Sequence, residues 1–568
     1  MFVRMLLTVV TLVAAVVFGY PIAFVLVHGL NPDGWPRLLD LDGRQIAQAM
    51  PPDAWAQAWH TGRADLIIAT YIAMYESVSP IFGGGGSTEL TVIFGTVVCL
   101  VAFMFATCSR GIQRHHSGRF GRARWATTSE RAKLRHGLEL GRDPLTRQNL
   151  RVPVEGNLLT IAPPRTGKTA AFILPNLLDP NVDAWHGTAV VIDPKGDAYR
   201  AAGRRRAALG RTVHCLDPYA LIGGADQWNP LEAIDADDVS RLQGIASMLL
   251  PPAGNASPSE QYFQTTAATV IVATMQAAIL SPTPNAATAA ALTRNTDALQ
   301  HALRGRTDAV AEAVRKLLEA DAKTRDPILS TVQLAFAWAL DPKAQRSVAG
   351  STVRLADICA GTADLFIVTP ADQRRDTLAP YLRWVLGDLF ETIRRNKPVE
   401  RVVVFIDEAA VLGRYDAILR GVGELPGYGC SLWTIWQTRA QMAEHYGEHG
   451  AQVLMDTAEV VTLFNLSMAS PDEREHWSRA LGTWTAVRPG KKGEPDEPVE
   501  QRLVPASDLP QLLQRNTVLF INNTRLTPFP ILCRRRLAHR DRRLRRLLDL
   551  TSVRPVGPIR RGPRPRRP

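Results

Sequence analysis

No two cysteines of this sequence stand at CxxC spacing. The six present, Cys99, Cys108, Cys215, Cys359, Cys430 and Cys533, are scattered, and none combines with the 12 histidines in a metal-ligand pattern. That excludes a disulfide framework or a zinc module and leaves reduced core or membrane thiols. The body of the chain also lacks an excess of charge of either sign. Of 66 basic and 54 acidic residues, residues 531–568 hold 14 arginines and two acids, Asp541 and Asp549. The remainder carries 52 of each, so the net charge of +12 belongs to the C-terminal end. A uniformly basic nucleic-acid-binding body is excluded.

What is present is a long chain of folded composition. At 568 residues, 46% hydrophobic and 21% charged, two to four domains are expected. Residues 5–28 are almost purely apolar and would make a helix of about 36 Å, with Gly19-Tyr20-Pro21 a candidate kink. The run is too long for a signal peptide and has no clear small-x-small cleavage site. Residues 90–108 are a second apolar run, about 28 Å as a helix. Basic residues cluster after it, at Arg110, Arg114, Arg119, Arg122, Arg124, Arg131, Lys133 and Arg135, against Arg37, Arg44 and Arg63 between the runs. The positive-inside rule then places both termini in the cytoplasm and residues 29–89 outside. The expectation is a multi-pass membrane anchor over residues 1–118, with Gly83-Gly84-Gly85-Gly86 a flexible joint before the second span.

Beyond the anchor, apolar runs at 158–161, 189–192, 212–216, 365–369, 402–406 and 432–436 suit parallel strands buried on both faces. Most end in a polar or acidic residue, as expected where a nucleotide sits at strand C-terminal ends. Between about 231 and 351 the strand signal disappears. There, 261–280 reads as helix, and Val310, Val314, Leu317 and Leu318 share one helical face. The reading is a nucleotide-binding domain in two segments, 119–231 and 351–535, an all-α domain inserted at 232–350, and an Arg/Pro-rich basic tail, 536–568, without fixed structure. Residues 489–499 read as a charged loop.

The stretch Ala162, Pro163, Pro164, Arg165, Thr166, Gly167, Lys168, Thr169, Ala170 lies between the strand 158–161 and a helical segment, 170–178. Strand, tight loop and helix are the context of a phosphate-binding loop, whose backbone N–H groups cradle anionic oxygens. Lys168 would reach the β- and γ-phosphates of ATP, and the Thr169 hydroxyl would hold Mg2+. The usual first glycine is Ala162, which tolerates a positive φ less well. Residues 402–406 deliver Asp407 and Glu408 to a strand tip, one for Mg2+ and one to polarise the attacking water. Gln437, at the tip of 432–436, is placed to sense a γ-phosphate or position water. Arg374, Arg375, Arg414, Arg420 and Arg439 are the candidates to reach a neighbouring subunit's nucleotide.

Several stretches in order resemble the type IV coupling proteins, the TraG/TraD-type ATPases of conjugation and type IV secretion. They are Ala123-Arg124-Trp125-Ala126, residues 161–169 with Leu174-Pro175-Asn176-Leu177-Leu178, Asp193-Pro194-Lys195-Gly196-Asp197 and Trp228-Asn229-Pro230-Leu231. Then come Asp407-Glu408 with Leu412-Gly413, Gln437 with Gln441 and Tyr446-Gly447, and Leu481-Gly482-Thr483. That family commonly has Ala where Ala162 stands. Asp197 replaces a frequent Glu, and Pro426 stands in a region where some members carry Arg. The resemblance implies an α/β, RecA-like P-loop NTPase fold with an inserted all-α domain behind a two-helix transmembrane anchor. It also implies a homohexamer at the bacterial inner membrane using ATP and Mg2+, with Lys168, Glu408 and Gln437 catalytic and Thr169 and Asp407 on the metal. Its implied partners are a relaxase or relaxosome or secreted effectors, DNA without sequence preference, and the type IV secretion channel. An FtsK-type DNA translocase and a non-hydrolysing nucleotide-binding membrane scaffold are the alternatives. The former usually has more spans and a C-terminal winged helix, and the latter has no need of Lys168, Thr169, Asp407 and Glu408 together.

Overall fold

A computed structural model describes residues 113–114, 118–251, 257–488, 497–522 and 526–551. The expected spans 5–28 and 90–108, the loop 29–89 and the tail beyond 551 lie outside the described residues. No described helix is long and apolar enough to cross a membrane.

Fourteen strands are described. They are β1 (Gln113–Arg114), β2 (Leu138–Arg142), β3 (Asn149–Val152), β4 (Asn157–Ile161), β5 (Ala189–Pro194), β6 (Thr212–Leu216) and β7 (Ala363–Thr369). After these come β8 (Val402–Ile406), β9 (Cys430–Trp436), β10 (Ala458–Leu463), β11 (Thr483–Arg488), β12 (Glu497–Arg502), β13 (Asn516–Ile521) and β14 (Ile531–Arg534). The chain divides into two compact units. One holds residues 1–119 and 485–499, where β1 pairs antiparallel with β11 through Gln113↔Val487 and Arg114↔Ala486. Part of the expected 489–499 loop is therefore strand β12.

The other unit, 120–484 with 500–568, is built on an 11-stranded mixed sheet of order β3-β2-β14-β13-β10-β4-β9-β8-β5-β7-β6. From β10 to β6 all neighbours are parallel. From β10 outward through β13, β14, β2 and β3 they are antiparallel. The continuous apolar runs have a direct cause. Alternate residues of each central strand feed different cores. Leu159, Ile161, Val190, Ile192, Val404 and Ile406 enter one core, while Leu158, Ala189, Val191, Val403 and Phe405 enter the other. Period-2 alternation is invisible when both faces are dry.

The six expected strands are all present and parallel. The structure adds β2, β3, β10, β13 and β14 to the same sheet. Between β6 and β7 the described chain is helical, from Val239–Leu249 through the long helix Pro258–Ile279 to Pro342–Ser347. Ser257 and Glu260 form a capping box at the start of the long helix, each satisfying the other's backbone N–H. In helix Ala309–Leu318, Val314, Leu317 and Leu318 are buried on the expected face. These helices share a single core with the sheet, in which Val270, Ile271, Val332 and Trp338 join Val190 and Leu365.

The expectation of an unstructured tail from residue 536 is corrected over 536–551. Arg536 is buried between Glu139 and Asp179, each at 2.8 Å, and the helix Arg542–Thr551 packs beside helix Asp197–Ala208. The cause is amphipathicity that arginine counts conceal. Leu544 is buried, and Leu547 and Leu548 pack on the second core, while Arg542, Arg543, Arg545 and Arg546 face outward.

Candidate nucleotide site

The C-terminal ends of β4, β5, β8 and β9 lie side by side, so the residues following each strand converge. β4 leads into the phosphate-loop sequence. Ala162 is buried, its N–H donates to Trp436 O at 2.8 Å, and it is not among the described residues of positive φ. An alanine methyl is accommodated in the second core, so glycine is not required there. The positive φ values fall at Arg165 (60°) and Gly167 (81°). Thr166 Oγ1 donates back to Pro163 O at 2.7 Å and tightens the turn. Pro164 and Arg165 are exposed.

The following helix runs over Thr169–Leu178, one residue earlier than the expected 170–178 and with a wide first turn in which Leu174 N–H reaches back to Thr169 O. Pro175 has no N–H to continue the regular pattern. Asn176 compensates. Its amide donates to Phe172 O at 2.7 Å and Glu139 O at 3.0 Å and accepts from Glu139 N at 2.7 Å, tying the helix to β2.

Two carboxylates meet the loop. Thr169 Oγ1 donates to Asp407 Oδ2 at 2.5 Å, and Lys168 Nζ lies 3.0 Å from Glu408 Oε2. Gln437 Nε2 donates to the same Glu408 oxygen at 3.1 Å, while Gln441 Oε1 accepts from Gln437 N at 3.0 Å and fixes the strand tip. Lys168, Thr169, Asp407, Glu408 and Gln437 are thus brought together. Asp407 Oδ1 and Glu408 Oε1 are buried without a hydrogen-bond partner among the described residues. Burial pushes the Asp407 carboxyl above its usual range, against the pull of Lys168 and Thr169. A buried, incompletely satisfied carboxylate beside a threonine hydroxyl is a hard-oxygen donor set that suits Mg2+.

Asp193, at the end of β5, is a neighbour the sequence reading left without a role. Its carboxylate accepts from Ala198 N at 3.1 Å and Tyr199 N at 2.8 Å and so caps helix Asp197–Ala208. Lys195 (φ 69°) and Gly196 (φ 73°) form the left-handed turn that lets the chain fold back to it. Burial pushes its carboxyl up to about 7, with Asp407 adding repulsion.

The candidate finger arginines are dispersed. Arg374 pairs with Asp372, Arg375 with Asp376, Arg414 with Asp416 and Arg439 with Glu448. Arg420 lines a cleft of about 460 Å³ with Arg241 and Asp388.

One contribution had no motif to announce it. The chain after β14 lies against the phosphate loop. Arg535 Nη1 donates to Thr166 O at 3.3 Å, Ala538 N donates to Ala170 O at 2.8 Å, and a Cβ on Gly167 would stand 3.4 Å from Leu537 Cδ2. The only sequence signal is the apolar pattern Ile531, Cys533, which marks a short strand and hence a fixed exit point for Arg535.

The family model for the type IV secretory system proteins of conjugative DNA transfer matches residues 130–492. The conjugal transfer protein TraG of Escherichia coli is 26% identical over 371 residues, covering 58% of this chain and 56% of that protein. The protein VirD4 of Rhizobium radiobacter is 21% identical over 462 residues, covering 75% of this chain and 63% of that one. The chain thus spans between half and two-thirds of the length of these relatives. Among solved structures, the conjugative coupling protein TrwB superposes with a TM-score of 0.58 at 18% identity in its sulphate complex, covering 75% of this chain and 96% of that one. TrwB in complex with ADP and Mg2+ gives 0.57 at 18% identity, covering 76% and 96%. These superpositions show a common α/β fold with a mixed sheet.

Proposed function

The chain belongs to the type IV secretory family of conjugative DNA transfer, and on that premise we propose that it is a coupling ATPase of the bacterial inner membrane. It recruits a relaxosome or effector substrate and drives it into a secretion channel by hydrolysing ATP. The observation that carries this reading is the convergence of Lys168, Thr169, Asp407, Glu408 and Gln437 at adjoining strand tips. A nucleotide-binding scaffold has no use for a carboxylate and an amide held at the lysine. The RecA-like reading of the sheet rests on the same convergence.

The roles follow from position. The backbone of 162–170 and the start of the helix bind the phosphates. Lys168 leaves Glu408 to reach the β- and γ-oxygens. Thr169 and Asp407 would hold Mg2+, which would supply charge neutralisation at the phosphates. Glu408, released by Lys168, accepts a proton from the attacking water, and Gln437 orients that water through the hydrogen bond it already makes to Glu408.

The inserted helices 232–350 are the substrate-receiving region, placed between β6 and β7 and sharing the sheet's core, so that movement of the sheet reaches them. The apolar runs 5–28 and 90–108 anchor the protein, with both termini cytoplasmic, and a homohexamer places the ATP sites between subunits. DNA contact is through phosphates and independent of sequence.

The test is phosphate release by the full chain in lipid nanodiscs together with transfer from cells. Glu408→Gln should bind ATP with Mg2+ and release phosphate about 10²–10⁴-fold more slowly, with transfer abolished. Phosphate release or transfer at wild-type rate in Glu408→Gln would sink the proposal in favour of the scaffold.

A further inference from the structure

We infer that the C-terminal segment closes the phosphate site and that Arg535 is a nucleotide-binding residue supplying it with a second cation beside Lys168. This inference rests on the nucleotide site proposed above and extends it to a segment outside the family match, which ends at residue 492.

Arg535 is held in place from several directions. Its guanidinium lies over the ring of Phe464, 4.9 Å from the centroid. Phe464 follows β10, donates its N–H to Ile161 O at 3.3 Å, and packs its ring against Phe172 of the helix after the loop, with centroids 5.4 Å apart. Nη1 donates to Thr166 O and Nη2 to Gln514 O. The Asn465 amide, turned so that it donates to Leu513 O at 3.0 Å, accepts from Nη1 at 3.3 Å. Next along the chain, Arg536 is locked by Glu139, Asp179 and Asp541, and Ala538 is bonded to the first turn of the phosphate helix. The backbone that carries Arg535 therefore has little freedom.

The partners of the two adjacent arginines are opposite in kind. Arg536 is surrounded by carboxylates, whereas Arg535 touches carbonyl oxygens and an aromatic face and forms no ion pair with a carboxylate among the described residues. It is half-buried, and burial together with Arg540 holds its guanidinium below the usual range. A partly desolvated cation without a counter-charge is costly, and the cost falls when an anion arrives. The adjacent element is a loop whose backbone is arranged for anions. A nucleoside di- or triphosphate is the anion of matching chemistry. A guanidinium can bridge two phosphate oxygens and keep the carbonyl contacts it already has. Its guanidinium meets the loop at Thr166, and the Ala538 N–H meets it at Ala170, whereas the Glu408–Gln437 pair meets it at Lys168, so Arg535 serves binding of ADP and ATP alike rather than recognition of the γ-phosphate.

The experiment uses the full chain in nanodiscs and a fluorescent ADP derivative with Mg2+. Arg535→Gln keeps a donor for Thr166 O but removes the charge, and Arg535→Lys keeps the charge. We expect Arg535→Gln to weaken ADP and ATP binding by about tenfold and to make affinity less sensitive to salt. Arg535→Lys, which keeps the charge but not the fork, should recover part of the affinity, and both variants should unfold at the wild-type temperature. Wild-type affinity and salt dependence in Arg535→Gln would overturn the inference while leaving the nucleotide site intact. Equal losses in the Gln and Lys variants would overturn it too, since only the shape of arginine would then matter. Failure of the wild type to bind the probe would instead overturn the nucleotide site itself, and Arg535's role with it.

Discussion

Lys168 Nζ and Glu408 Oε2 are 3.0 Å apart, joined across 240 positions of sequence. Each side chain is largely buried, with 14% and 15% of its surface accessible. On the proposed nucleotide site, the carboxylate would hold the lysine until a phosphate competed for it, and Glu408 would be freed as Lys168 moved.

The first prediction follows from that pair. Lys168→Ala should lose nucleotide affinity by at least about tenfold, the weight of a charge-assisted contact. Glu408→Gln should keep or improve affinity because its lysine is released. Equilibrium binding of a fluorescent nucleotide would separate the two, and equal loss in both variants would argue against the exchange.

The metal arm gives a second prediction. Asp407→Asn and Thr169→Ala should each abolish the enhancement of nucleotide affinity by Mg2+. Without metal, Asp407→Asn should be neutral or slightly stabilising, since it removes a buried charge whose Oδ1 has no partner among the described residues. Titration calorimetry with and without EDTA reads the first effect, and urea unfolding reads the second.

Arg536 offers a stability prediction that needs no nucleotide. It is 3% exposed and pairs with Glu139, Asp179 and Asp541. Arg536→Met leaves buried carboxylates without their cation and should cost about 3–5 kcal/mol in urea unfolding. A change below about 1 kcal/mol would mean that Arg151, 2.8 Å from Asp179, suffices for the network.

Asp388 predicts a pH dependence. It lies in helix Arg374–Arg395, 9% exposed, and burial pushes its carboxyl from 3.8 up to about 7, with Arg241 and Arg395 opposing and Glu391 adding to the rise. Its folded state holds the proton more tightly than the unfolded chain. The stability it supports is therefore full below about pH 4 and is lost as pH rises through 7. Asp388→Asn should match the wild type near pH 4 and exceed it at pH 8 by no more than about 4 kcal/mol. Thermal unfolding of both proteins across that range checks the sign, and a variant less stable at pH 8 would contradict it.

The central sheet was legible because its physics is local. Runs such as Val402–Ile406 must be apolar at every position when both faces are buried, so composition alone announces them. The loop 162–169 was legible because its glycine, lysine and threonine positions are fixed by backbone geometry and charge. The strand β13, with Val518, Leu519 and Ile521 buried, was equally apolar, yet its antiparallel place beyond β10 depends on a pairing no single stretch encodes.

Sequence by itself determined which groups are available: Lys168 and Thr169 at the end of the loop that follows one apolar run, and Asp407, Glu408 and Gln437 at the ends of two others. Only the tertiary structure decided which of them touch, because their separation along the chain is bridged by the parallel order β4-β9-β8-β5. The arginine-rich end shows the same division. Charge counting describes Arg535 and Arg536 as two members of one basic tail. The fold gives them different fates, since β14 points one towards Glu139 and Asp179 and the other towards the carbonyl of Thr166. Charge is a property of the residue, whereas desolvation and counter-charge are properties of the place the chain takes it to.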